Sequence, residues 1–247
     1  MFEVKNISRR FGRRTVLDGV SFDVAPGEVV GVLGANGAGK TTLLRVLSAY
    51  LEPASGEVLY DGADVFADRV AFRRLLGYLP ERCPLYDEMR VDAYLTFRGL
   101  LRGLTRHRTA RRIRDVAAAC GIQGVLRQPI AALSGGFRRR VGLAEALLAL
   151  PKVLLLDDPF AGLDPAHGYA LRQVVAAASV RAAVIVSGHD VTGLAEICTR
   201  FLVLREGRAV YARRVTESDP AALVRTLTRV VSGLDPADGP AEPGGGQ

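Results

Sequence analysis

Residues Gly34 to Thr41 read GANGAGKT, a complete G-x-x-x-x-G-K-[ST] series, and they constrain the fold more than any other stretch. Val29–Leu33 (VVGVL) runs into them as a short, wholly apolar segment, the pattern of a buried strand in a parallel sheet. A helix is expected to leave them over Thr41–Leu51 and to stop before Pro53. Between a strand and a helix, such a loop curls its backbone N–H groups around phosphate oxygens, and the helix N-terminus adds partial positive charge. Gly34, Ala35, Asn36, Gly37, Ala38, Gly39 and Thr42 would supply that cradle. Lys40 would reach the β- and γ-phosphates of a nucleotide, and the Thr41 hydroxyl would ligate Mg²⁺.

Val153–Leu156 and Ala183–Val186 are two more short apolar runs, each followed by polar or Pro/Gly punctuation and then a helical stretch. That alternation predicts an α/β core with parallel strands. Glu3–Ile7, Val20–Val24 and Glu57–Tyr60 alternate like strands of an antiparallel β layer. Phe201–Leu204 and Arg208–Tyr211 read as a hairpin about Glu206-Gly207. Val91 to Arg127 is rich in Arg and Ala and has no strand-like run, so it reads as two or three helices of an inserted helical subdomain, about 91–150. Gly233–Gln247 holds five Gly and three Pro and is expected to be a disordered tail, leaving 1–232 as the domain. The tetrapeptide GLDP occurs at Gly162–Pro165 and Gly233–Pro236; the second copy has no strand before it and reads as coincidence.

Two further stretches carry chemistry. Val153-Leu-Leu-Leu-Asp157-Asp158 is an apolar strand ending in two carboxylates. At a strand tip beside a phosphate loop, Asp157 is placed to hold Mg²⁺ through water, and Asp158 to polarise an attacking water. Leu133-Ser134-Gly135-Gly136-Phe137 precedes a helix expected from about Arg138 to Leu150. Ser134 would cap it, and Gly135 and Gly136 would leave backbone N–H groups bare for an anion.

Composition narrows the class. The chain has 247 residues, 49% hydrophobic and 24% charged, which excludes wholesale disorder. No stretch approaches the roughly 18 uncharged apolar residues of a membrane helix, and Met1 to Arg10 has no apolar signal region. Cys83, Cys120 and Cys198 lack metal or disulfide spacing and fit a reducing compartment. The net charge is +7, and Arg98 to Arg114 holds seven Arg without an acid. Such a stripe reads first as a solvated helix face and second as a surface for nucleic acid or anionic lipid.

Taken in order, the phosphate loop, Leu133-Ser-Gly-Gly136, the strand ending in Asp157-Asp158-Pro159, Ala161-Gly-Leu-Asp164 and Ser187-Gly188-His189 resemble the motif series of ABC-type ATPases, the nucleotide-binding subunits of ABC transporters. The resemblance covers roughly residues 2–211. Gly77-Tyr-Leu-Pro-Glu81, with Pro84-Leu-Tyr86, Val91 and Tyr94-Leu95, resembles the ATPase subunits of ABC-2-type exporters, of the gliding-motility and nitrous-oxide-reductase-maturation kind. The resemblance implies an α/β P-loop NTPase core with a mostly parallel sheet, an antiparallel β layer and an inserted helical subdomain. It implies ATP and Mg²⁺ as cofactors, and hydrolysis coupled to transport. Phe11 lies at the position that stacks on adenine, and Glu81 where the family usually has a Gln that touches Mg²⁺. Ser134, Gly135 and Gly136 would bind the γ-phosphate of ATP held by a second ATPase subunit. Asp164 would line that interface, and His189 would touch the γ-phosphate and steady Asp158. His107 and His167 read as surface residues. The partners implied are a second copy or a related ATPase subunit and separate integral membrane permease subunits, with peripheral attachment to the cytoplasmic face of the membrane and no direct nucleic-acid contact.

Two departures from the family pattern stand out. Asp158 replaces the usual catalytic Glu, shortening the side chain by one methylene, about 1.5 Å. Slow hydrolysis and a long-lived closed dimer are expected from that. Phe137 replaces the usual Gln, with little expected effect on nucleotide binding. Two other readings of the same motifs are a soluble ABC-type ATPase acting on ribosomes or DNA and a slow-hydrolysing regulatory subunit.

Overall fold

A computed structural model describes residues 1–215 and 220–234. The chain opens with β1 (Phe2–Phe11) and β2 (Arg14–Val24), an antiparallel pair in which Phe11 lies opposite Arg14. Next come β3 (Val29–Leu33), α1 (Lys40–Leu47), β4 (Ser55–Tyr60), the short β5 (Ala63–Asp64), α2 (Arg69–Leu75) and β6 (Leu76–Leu79). Then follow α3 (Val91–Leu101), α4 (Arg106–Ala119), α5 (Gly135–Leu147) and β7 (Val153–Asp157). The remainder is α6 (Pro165–Ser179), β8 (Ala183–Ser187), α7 (Val191–Ala195), β9 (Arg200–Arg205), β10 (Arg208–Arg214) and α8 (Pro220–Val231).

Two sheets form. The larger runs β10-β9-β3-β8-β7-β6 and is parallel except for β10, which returns antiparallel to β9. The smaller is antiparallel, ordered β2-β1-β4-β5. Every residue of β3, β7 and β8 is buried, as expected for strands covered on both faces. Alternation sends their side chains into two cores. Val30, Val32, Val153 and Leu155 pack with Phe2, Ile7, Leu17 and α1 between the sheets. Val29, Leu33, Leu154 and Leu156 pack on the other face with the helices α3 to α6. This is the α/β architecture expected, with its antiparallel layer and helical insertion.

Several boundaries differ from the sequence reading. Helix α1 ends at Leu47, four residues before the expected Leu51, because Ala49 adopts a left-handed φ of 54° and the N–H groups of Tyr50 and Leu51 both turn back to the Arg45 carbonyl. Helix α5 begins at Gly135 rather than Arg138, with Ser134 as its cap. Strand β6 and helices α2 and α8 were not anticipated. The expected tail lies outside the described residues from 235 onward.

The Arg98–Arg114 stripe is not one solvated face. Arg98 and Arg102 both pair with the buried Glu145 of α5, at 2.9 and 3.0 Å. Arg112 donates to the Leu147 and Leu148 carbonyls at the end of the same helix. Arg106, Arg108, Arg111 and Arg114 remain exposed.

Candidate functional site

The parallel register aligns the carboxyl ends of β3, β6, β7 and β8. Leu79 lies beside Leu156, and Asp157 beside Ser187. The loops that follow these strands therefore meet at one edge, where open α/β sheets bind ligands. They enclose a cavity of about 560 Å³. It collects Phe11, Asn36, Gly37, Gly39, Lys40, Thr41, Thr42, Glu81, Asp157, Asp158 and His189 from the sequence reading. Gly34, Ala35 and Ala38 lie within the same loop.

The loop conformation needs its glycines at two points. A Cβ on Gly34, at φ 151°, would come within 2.4 Å of the Leu204 carbonyl oxygen. One on Gly39, at φ 109°, would come within 2.8 Å of the Val16 carbonyl oxygen. The loop is thus wedged between the two sheets. Lys40 Nζ donates back to the Gly34 and Ala35 carbonyls at 2.6 and 3.1 Å, closing the ring. Burial lowers the Lys40 pKa below the ordinary lysine value, opposed by the charges of Asp158, Asp157 and Glu81.

The two carboxylates after β7 sit in different surroundings. Asp157 is buried, and its Oδ1 accepts the Ser187 hydroxyl at 2.6 Å. Its Oδ2 is buried with no hydrogen-bond partner. A buried, unpaired carboxylate oxygen on a residue that lines the same cavity as the phosphate loop suits a divalent cation, which would discharge the cost of leaving it bare. Thr41 and Glu81 line the same cavity, so the residues present fit Mg²⁺. Asp158 is about a quarter exposed, in a left-handed conformation (φ 48°), and its Oδ2 lies 3.0 Å from His189 Nδ1. Such an acid–imidazole pair can share and move a proton at the cavity mouth.

Phe11 is half exposed, with the Arg9 guanidinium 4.9 Å from its ring centre. One ring face is thereby occupied by a cation, leaving the ring available as a platform for a flat, electron-rich group. Glu81 takes part through its backbone as well, since its carbonyl accepts from Arg139 of α5 at 2.7 Å.

Ser134, Gly135 and Gly136 do not line this cavity. Ser134 and Gly135 are exposed at the tip of α5, where the Ser134 hydroxyl accepts the Phe137 N–H at 3.4 Å. The Phe137 ring lies under the Arg140 guanidinium, at 4.0 Å. Asp164 caps α6 by accepting the His167 N–H at 3.1 Å and also contacts the His167 ring. These hydrogen bonds lower the Asp164 pKa. The sequence reading passed over Arg14, Val16 and Arg45, which line the cavity, and gave Ser187 no role. The signal for Arg14 was the hairpin: a turn at Gly12 sets it opposite Phe11.

The family model described as "ABC transporter" matches residues 17–161. The chain is 40% identical to the hemin import ATP-binding protein HmuV of Pseudomonas aeruginosa, over 84% of both chains. It is 28% identical to the linearmycin resistance ATP-binding protein LnrL of Bacillus subtilis, over 85% of this chain and 68% of that one. Among solved structures, an ATP-binding subunit of an ABC transporter superposes with a TM-score of 0.84 at 27% identity, covering 92% of this chain and 99% of that one.

Proposed function

The chain belongs to the ABC transporter ATP-binding family and is an ATP-hydrolysing subunit of that kind, and we propose that it drives an exporter through ATP-dependent pairing of two ATPase subunits. One observation carries the pairing. The cavity gathers the phosphate loop, Phe11, both aspartates and His189, yet leaves Ser134, Gly135 and Gly136 outside on an exposed helix tip. On this reading, that tip would meet a nucleotide held by another subunit. ATP would then be a ligand of the closed pair alone, and stabilise it by mass action.

Within each site, the phosphate-loop N–H groups and Lys40 would hold the phosphates, and Phe11 the adenine. Thr41, Asp157 and Glu81 would hold Mg²⁺, which neutralises phosphate charge when bound. Asp158 would accept a proton from the attacking water, and His189 would orient Asp158. Among the described residues no helix is long and apolar enough to cross a membrane. Separate membrane permease subunits would supply the pathway, with this chain held at the cytoplasmic face. The resemblance of Gly77–Glu81 and its surroundings supports export. The likeness to HmuV favours an importer as the second reading.

The test is a pull-down of the tagged chain from gently solubilised native membranes, with size-exclusion chromatography of the purified chain with and without Mg-ATP. Near-equal capture of a polytopic membrane protein, and a shift to a dimer with ATP in the Asp158→Asn variant, support the reading. Capture of ribosomal or DNA-bound proteins, with the chain absent from membranes, overturns it. The captured permease, reconstituted in vesicles, decides direction.

A further inference from the structure

We infer that Arg14 is a nucleotide-binding residue, contacting the ribose or α-phosphate of a bound nucleoside di- or triphosphate. This rests on the cavity being the nucleotide site. Three observations place it there. Arg14 opens β2 directly opposite Phe11 in the β1–β2 register, and directly opposed residues of an antiparallel pair project from the same face. Its guanidinium reaches the phosphate loop, with Nη2 4.0 Å from where a Cβ on Gly37 would stand. It lines the cavity together with Phe11, Gly37 and Lys40.

Arg14 thus stands opposite Phe11 and beside Gly37 of the phosphate loop that carries Lys40. A base stacked on Phe11 and terminal phosphates held by Lys40 would leave the ribose and α-phosphate between them, within reach of a side chain that neighbours both Phe11 and Gly37. Its neighbours differ. Arg9 is already committed, stacked on Phe11 and donating to the Glu52 carbonyl at 2.8 Å. Arg13 is exposed at the hairpin turn and does not line the cavity. Beyond its backbone pairing in the β1–β2 ladder, the Arg14 guanidinium makes no hydrogen bond or ion pair among the described residues, so its five donors are free for phosphate or ribose oxygens. Unlike a group on the γ-phosphate, it would serve ADP as well as ATP. It would also tie the antiparallel sheet to the phosphate loop through the ligand.

The experiment measures dissociation constants of ATP and ADP for the full chain by displacement of a fluorescent ADP analogue. Arg14→Ala is expected to weaken both nucleotides by the same factor, about tenfold for a lost charge-assisted hydrogen bond. Arg14→Lys should recover part of the loss, because an ammonium keeps the charge without the fork. Arg13→Ala should bind as the parent chain does. Arg14 has no protein partner, so its thermal midpoint should stay unchanged, separating lost binding from lost folding. Unaltered ADP affinity in Arg14→Ala overturns the inference, as does a loss confined to ATP, which would put the residue at the γ-phosphate. If the parent chain bound neither nucleotide, the nucleotide-site reading itself would fall.

Discussion

Asp158 shows how one residue joins backbone strain to chemistry. Its left-handed backbone suits Asp better than Glu, because a short polar side chain tolerates that region at lower cost. The same short side chain holds the acid 3.0 Å from His189, and in the proposed role of general base it would stand one methylene further from the attacking water than Glu. General-base positioning is worth about 10²–10⁴-fold. Asp158→Glu is therefore expected to raise the turnover of the purified dimer by about tenfold or more while slightly lowering its thermal midpoint. An unchanged steady-state rate would show that the backbone already restores the reach. Lys40 gives the pH dependence. Burial lowers its pKa in the empty site, and bound phosphates would raise it again. Between those two values the empty site has lost a proton that the filled site keeps. Binding should then take up protons, and affinity should fall as pH rises through the empty-site value, below the ordinary lysine value of about 10.4. Calorimetry in buffers of different ionisation heat reads this directly; binding with no proton uptake across the alkaline range would refute it.

Among the elements, α5 joins the helical insertion to the sheet. Its Gly142 lies so close to β6 that a Cβ there would come within 2.7 Å of the Leu79 side chain. Glu145, on the same helix, is the buried anion to which Arg98 and Arg102 of the α3 region are tied. Removing one partner of a buried pair leaves charge uncompensated, typically costing about 3–5 kcal/mol. Glu145→Ala should lower the denaturation midpoint accordingly in urea, and a change below about 1 kcal/mol would mean the arginines find water instead. This network explains what the sequence could and could not disclose. Strands β3, β7 and β8 were legible because burial on both faces writes itself as an unbroken apolar run. The glycine-rich loop was legible because its chemistry dictates its spacing. Strand β6 was not, being only the four residues LGYL, and neither was α2, whose one buried side chain is Phe72. The arginine stripe misled because charge runs look solvated when their partner lies more than forty residues away. Arg14 was hidden for a related reason, since its place depends on a hairpin register rather than a motif.

At the scale of the whole molecule, a second cavity, larger than the proposed nucleotide site, lies beside the helical insertion. It is a groove of about 970 Å³ between α2, the loop after β6 and the helical insertion. Arg45 lines both cavities, and Glu81, which lines the smaller one, directly precedes Arg82 on the groove wall. A body seated in the groove would therefore touch the loop that carries Glu81. The groove is strongly cationic. Arg98 and Arg102 are neutralised by Glu145, and Arg73 donates to the Ala49 carbonyl, but Arg74 and Arg82 are exposed with no carboxylate partner among the described residues. Tyr50, Val70 and Leu101 expose apolar surface along the same walls. If a permease subunit docks here, its contacting segment should combine an apolar face with a carboxylate. Reversing Arg74 and Arg82 to Glu should then abolish capture of that subunit while leaving ATP affinity unchanged, because neither residue lines the nucleotide cavity. A crosslinker placed at Val70 should recover a permease peptide of net negative charge. Capture by the doubly reversed chain at the parent level, or a crosslinked peptide that is neutral or basic, would place the docking surface elsewhere on the molecule.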